Sequence, residues 1–150
     1  VMDTYSFGYS SSGFTDMPMN HKVFLAQFDA IKKLASEGPC VMVGRCADYA
    51  LSEYKDCFSV FVHADTDWRI NRLSQKHNKT AKEAKDMINK TDKSRSSYYN
   101  YYTNKKWGAA SSYNLCVDSS KLGIDGAAKA IIQAIEIFDS IKNTFNIVRH

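Results

Sequence analysis

The chain has 150 residues, with 20 Lys and Arg against 16 Asp and Glu, a formal net charge of +4, 44% hydrophobic residues and two prolines. That length fits one domain, and the near-average apolar and charged fractions exclude a disordered, collagenous or coiled-coil chain. No apolar run approaches the ~18 residues of a membrane-spanning helix and no basic-then-apolar leader opens the sequence, so no membrane partner is expected.

Val1 to Met19 is rich in Ser, Gly and Tyr without periodicity and reads as a loop. Within it, Gly8 to Thr15 has the glycine spacing of a phosphate loop, G-x-x-x-x-G-K-[ST]. Phe14 stands where the lysine would track the phosphates, and Tyr5-Ser6-Phe7 is a poor feeding strand, so the spacing reads as coincidence. Asn20 is a cap for a predicted helix in which Phe24, Leu25, Phe28, Ile31, Leu34 and Ala35 recur at helical spacing, ending near Gly38-Pro39. Cys40-Val41-Met42-Val43 is predicted as a buried strand ending in Gly44-Arg45, followed by a short helix from Ala47 to Leu51.

A second buried strand is predicted over Cys57 to Val62, and Asp65 or Thr66 caps a helix through Ile70 and Leu73. Thr80-Ala81-Lys82-Glu83 has the form of a capping box and opens a helix running towards Tyr102. A third strand, Asn114 to Val117, precedes the loop Asp118-Ser119-Ser120. The last helix, Ile124 to Ile141, carries Ala127, Ala128, Ile131, Ile132, Ile135 and Phe138 on one side.

Alternating helices and short apolar strands predict an α/β fold, a mostly parallel sheet with helices on both faces. Ligands of such folds sit at the carboxyl ends of the strands, here Gly44-Arg45, His63-Ala64-Asp65 and Asp118-Ser119-Ser120. Charge is concentrated in Thr66 to Lys106, with 11 basic residues against four acidic, a net +7 that leaves −3 for the remainder. That asymmetry fits an anionic partner, nucleotide phosphates, nucleic acid or a membrane surface, or else a solvated lysine-rich helix face.

Arg45 follows a strand and could grip a phosphate bidentately, or pair with a surface carboxylate. Asp48 could orient Arg45 or a ligand, or cap a helix. In Asp92-Lys93-Ser94-Arg95, Lys93 and Arg95 could close over transferring phosphates as part of a mobile helical lid, with Asp92 orienting them. Arg69 and Arg72 share one helix face and could meet the same anion or flank solvent. Tyr98, Tyr99, Tyr101, Tyr102 and Trp107 interleave with Lys105 and Lys106 as in a base-stacking surface. The spacing of Tyr98, Tyr101 and Tyr102 fits packing of one helix face better. No His/Cys cluster has metal-ligand spacing. Cys40, Cys46, Cys57 and Cys116 form no CxxC pair and read as reduced thiols of a cytoplasmic protein, and the sequons at Asn78 and Asn89 carry no weight without other signs of secretion.

Several of these segments together resemble one family. They are Val41-Met42-Val43-Gly44-Arg45-Cys46-Ala47-Asp48, Phe58 to Val62 with Ala64-Asp65 and Trp68-Arg69-Ile70, Asp92 to Tyr99, Thr103 to Trp107, and Tyr113 to Asp118. In this order, over about residues 20 to 135, they are similar to the cytidylate kinase-like family of P-loop nucleoside monophosphate kinases. The resemblance implies a three-layer P-loop NTPase-like parallel sheet flanked by helices, with residues 66–106 as a basic helical lid. It implies transfer of the γ-phosphoryl of ATP, with Mg²⁺ bridging the donor phosphates, to a nucleoside monophosphate such as CMP or dCMP. On that pattern Arg45 holds the acceptor phosphate, Arg95 and Lys93 are lid cations acting in catalysis, and Arg69 contacts the donor.

Two departures stand out. Cys46 occupies the position after Gly-Arg where the family's aspartate reads cytosine, and the next carboxylate is Asp48. The family's opening strand and phosphate loop have no counterpart before Asn20, so the first strands are expected to lie outside this sequence, which then forms the C-terminal part of a single kinase-like domain. A non-catalytic nucleotide- or phosphate-binding module is the alternative, and a nucleic-acid-binding protein a further one. A homodimer is compatible with the sequence.

Overall fold

The computed structural model describes residues 17–147, and the side chains of residues 21–142. The phosphate-loop look-alike at Gly8 to Thr15 lies outside the described residues. Those residues divide into two compact units, one ending at Leu51 and one beginning at Ser52.

The first unit holds α1 (Met17–Glu37) and α2 (Ala47–Ala50). α1 begins three residues before Asn20, which is therefore inside the helix and not its cap. Pro18 is compatible with this earlier start, because the first helical turn has no intrahelical use for its missing N–H. Of the predicted apolar face, Phe24 and Ile31 are buried and Phe28 meets Tyr49 of α2 edge-on at 6.2 Å, while Leu25 and Leu34 stay about half exposed.

Residues 40–43 form no strand, and Val41 and Val43 are 94% and 90% exposed. An apolar run specifies only half of a strand, since its backbone groups need a neighbouring strand to bond. Among the described residues only two strands pair, and both lie in the second unit.

That unit contains β1 (Val60–His63), α3 (Thr66–His77), α4 (Ala81–Thr103), a single 3₁₀ turn (Ala110–Ser112), β2 (Leu115–Asp118) and α5 (Ser119–Ile147). The chain is thus mixed α/β and mostly helical, with a two-stranded parallel sheet in place of the expected three or more strands. β1 and β2 pair from Val60 opposite Leu115 to His63 opposite Asp118. A parallel pair needs a long crossover, and here α3 and α4 supply it. The Thr80–Glu83 capping box is formed in full: the Thr80 amide donates to Glu83 Oε2 at 2.8 Å and the Glu83 amide to Thr80 Oγ1 at 3.2 Å.

α4 buries Ala84, Ile88, Tyr99 and Thr103, one stripe at helical spacing. Tyr99 is therefore the core tyrosine, and Tyr101, expected to pack, is 60% exposed. Tyr98 and Tyr101 both lie against the Tyr102 ring, at 4.8 and 4.9 Å. At the helix end Thr103 Oγ1 donates to the Tyr99 carbonyl at 2.7 Å and accepts from the Lys105 amide, and Asn104 turns left-handed. Gly123 (φ 70°, ψ 174°) breaks α5 after its first turn, so the long helix proper starts at Ile124, as predicted. It packs on both strands, burying Ala127 and bringing Phe138 to 5.1 Å from Phe58.

Candidate anion-binding cleft

β1 runs straight into α3 through a capped turn. Asp65 Oδ1 accepts from the amides of Asp67 and Trp68 at 2.9 and 3.3 Å, which satisfies the first donors of the helix. The cap brings Trp68, Arg69 and Arg72 of α3 to a cleft of about 510 Å³ at the carboxyl end of β1. Asp92 and Arg95, three apart on one face of α4, line it too, as does Trp107.

The strongest polar contact in the cleft is bidentate. Arg69 Nη1 donates to Asp92 Oδ2 at 2.7 Å and Nη2 to Oδ1 at 2.9 Å, with side chains 31% and 25% exposed. These hydrogen bonds push the Arg69 guanidinium above its ordinary value, against the opposing pull of partial burial. Arg72 lies over the Trp68 ring, 5.5 Å from its centroid, a cation–π contact. Three arginines against one aspartate leave the lining strongly positive.

The wall contributed by the loop before β2 is aromatic. Phe61 meets Trp107 edge-on at 5.3 Å and stacks on Tyr113 at 4.9 Å. The Trp107 amide donates to Asn100 Oδ1 at 2.7 Å, and the Gly108 amide to Tyr113 Oη at 3.3 Å. Gly108 adopts φ 74°, a conformation strained for any other residue, and a Cβ there would stand 3.2 Å from Phe61 Cζ, so the ring would have to give by a few tenths of an ångström.

The two strand ends are cross-tied beside the cleft. Ser119, which is buried, donates through Oγ to the His63 carbonyl at 3.0 Å, and the Asp65 amide donates to Ser120 Oγ at 3.1 Å. The Ser120 hydroxyl and amide both donate to Asp118 Oδ1. The hydroxyl contact is the chief cause that holds the Asp118 carboxyl below the usual carboxylate range.

Of the residues singled out from sequence, Arg69, Asp92 and Arg95 come together in this cleft. Asp92 orients Arg69, where the sequence suggested the lid cations Lys93 and Arg95. Lys93, one residue on from Asp92 and so about 100° further around the helix, is exposed and outside the lining. Arg45 and Asp48 belong to the first unit. There Gly44, Arg45 and Cys46 have φ of 72°, 56° and 56° in succession. Left-handed non-glycine residues cost about 1–3 kcal/mol each and concentrate at functional sites. Arg45 is exposed, and Asp48 lies in the first turn of α2. Cys46 is buried, which pushes its thiol up to about 11, with Asp48 adding to the effect.

The sequence reading gave no cleft role to Trp68 or Phe61. Their signal was position alone: Phe61 is next to the last residue of a strand leading to a ligand edge, and Trp68 is three residues after a capping Asp. Among the described residues no group of three His, Cys, Asp or Glu is placed to hold a metal ion. No helix in the described residues is long and apolar enough to cross a membrane.

The model of the cytidylate kinase-like family matches residues 1–121, taking in the N-terminal stretch that the motif-by-motif resemblance left aside. No curated protein sequence matches the chain. The chain is similar to a solved structure of an uncharacterized protein from Eubacterium ventriosum ATCC 27560, with 33% identity and a TM-score of 0.75, over 78% of this chain and 74% of that one. With a family match extending over most of its length, and the family's motifs in order along it, the chain belongs to the cytidylate kinase-like family.

Proposed function

We propose that the protein is a nucleoside monophosphate kinase-like phosphotransferase that moves the γ-phosphoryl of ATP to a nucleotide such as CMP or dCMP. The observation that carries this reading is the convergence of Arg69, Arg72 and Arg95 with two tryptophans at the carboxyl end of a parallel strand. Guanidinium groups suit phosphate oxygens and indole rings suit a nucleobase. Phosphoryl transfer asks mainly for positioning and charge neutralisation, which such a cleft offers without a covalent nucleophile.

In this reading the complete fold is a three-layer P-loop NTPase-like sheet, and α3 and α4, within the basic segment 66–106, are its lid. Arg45 holds the acceptor phosphate with Asp48 beside it, Arg69 meets a donor phosphate, and Arg95 neutralises charge as transfer proceeds. Lys93, on the exposed side of α4, adds to the positive field that draws the nucleotide in. Asp92 is committed to Arg69 and, among the described residues, no group of three His, Cys, Asp or Glu accompanies it, so in this reading Mg²⁺ enters as the counter-ion of ATP. A cytoplasmic protein, and a homodimer, are consistent with this reading.

A coupled ATP assay against CMP, dCMP, UMP and AMP tests it, run beside a fluorescence titration of each nucleotide. Turnover with one of them is the expected result. Saturable binding without turnover would replace the kinase with a nucleotide-binding module. Binding of oligonucleotides alone, with a steep salt dependence, would replace it with a nucleic-acid-binding protein.

A further inference from the structure

We propose that Asp92 is a positioning residue, fixing Arg69 so that the unoccupied edge of its guanidinium faces a phosphate in the cleft. The proposal rests on the reading that this cleft takes phosphate. A guanidinium has two hydrogen-bonding forks, one formed by both Nη atoms and one by Nε with an Nη. Asp92 fills the first, one carboxylate oxygen on each Nη. The second fork keeps two parallel N–H groups, the pattern that holds a phosphate bidentately. The other cleft arginines have no such clamp: Arg72 leans on the Trp68 face and Arg95 is exposed. Arg69 is thus the preorganised cation among three, and a ligand meeting it has no side chain to immobilise.

Asp92 also places a negative charge beside an anion site, so its two effects on binding have opposite signs. If charge alone mattered, Asp92→Ala would tighten anion binding. If positioning dominates, the same change loosens it. Trp68 and Trp107 are the only two tryptophans of the chain and both line the cleft, so intrinsic fluorescence reads occupancy directly.

The experiment titrates ATP and, separately, inorganic phosphate into the parent, Asp92→Ala, Asp92→Asn, Arg69→Ala and the Arg69→Ala/Asp92→Ala double variant. Asp92→Ala should weaken binding of both probes about tenfold, the scale on which lost preorganisation is read. Asp92→Asn should lose less, since its amide oxygen still accepts one of the two bonds, and it carries the test should the alanine variant not fold. In the Arg69→Ala background, removing Asp92 should cause no further loss. Equal or tighter binding by both Asp92 variants overturns the proposal. A parent that binds phosphate but no nucleotide sinks the kinase reading and leaves the Asp92 comparison decisive, and a parent that binds neither sinks both.

Discussion

Gly108→Ala is a direct test of how the aromatic wall of the cleft is built. The residue sits at φ 74°, where a side chain costs about 1 kcal/mol of backbone strain. The added methyl would also stand 3.2 Å from Phe61 Cζ. Phe61 has little room to retreat, being edge-on to Trp107 on one side and stacked on Tyr113 on another, so the overpacking adds roughly 1–3 kcal/mol. A total of about 2–4 kcal/mol should lower the melting temperature by roughly 8–30 °C for a unit of this size. Thermal unfolding followed by circular dichroism gives the stability, and tryptophan emission shows whether Trp107 is displaced. Adding Phe61→Leu to Gly108→Ala should recover the steric share of the loss and leave the backbone share. A Gly108→Ala protein melting within about 2 °C of the parent would refute the account of this wall, since even the strain alone should exceed that.

Arg45→Ala should raise KM for the nucleoside monophosphate steeply, while Arg95→Ala should lower kcat by about 100-fold, more than it lowers affinity. Steady-state kinetics of both variants decide this, and two variants as active as the parent would remove the proposed roles. Hydrogen bonds from the Thr80 amide and hydroxyl hold the Glu83 carboxyl below its ordinary 4.5. The stability this lends is therefore fully present above that range and is lost as pH falls through the depressed value. Urea unfolding from about pH 6 to pH 3 should show that acid-side loss in the parent and a flatter profile in Thr80→Ala. Burial raises the Cys46 thiol from 9.0 to about 11, so between those values the unfolded chain ionises there and the folded one does not. Stability should thus decline as pH rises above 9, and a thiol reagent at about pH 8 should label exposed Cys40 and spare Cys46, as read by mass spectrometry of digested protein.

Features settled within a few residues were legible in the sequence. The Asp65 cap, the Thr80–Glu83 box and the start of the long final helix after Gly123 are local chemistry, and the structure has them where the residue pattern put them. The strands at 60–63 and 115–118 were legible to within about three residues, because each apolar run is bounded by polar turn residues. The apolar run at 40–43 failed for want of a partner, which no local pattern encodes. Tyr99 took the core position from its neighbours because the stripe through Ala84, Ile88 and Thr103 sets the buried face of α4, and the cluster of tyrosines concealed it. The Arg69–Asp92 pair spans 23 residues, and only the packing of α3 on α4 brings the two side chains together. That Lys93 faces away from Arg95 follows from helix geometry, and was available to a reading that placed the residues around the helix as well as along it.

The clasp between Ser59 and Asn114 bears on how the cleft comes into being as the chain folds. Asn114 Oδ1 accepts from both the amide and the hydroxyl of Ser59, and the Asn114 amide returns a bond to the Ser59 carbonyl at 2.9 Å. These residues are 55 apart, so closing the loop between them is the slow, nonlocal event, whereas α3 and α4 can form quickly by themselves. The clasp sits immediately before the first paired residues and fixes the register from that end. A slip of one residue would turn the alternate side chains of β2 to the wrong face and part Asp118 from His63. A folding intermediate with both helices formed but the strands unregistered would carry the arginines without the floor they stand over. On the proposed reading, phosphate binding would therefore report more than local helix content: it would count the molecules whose two strands have closed in the right frame.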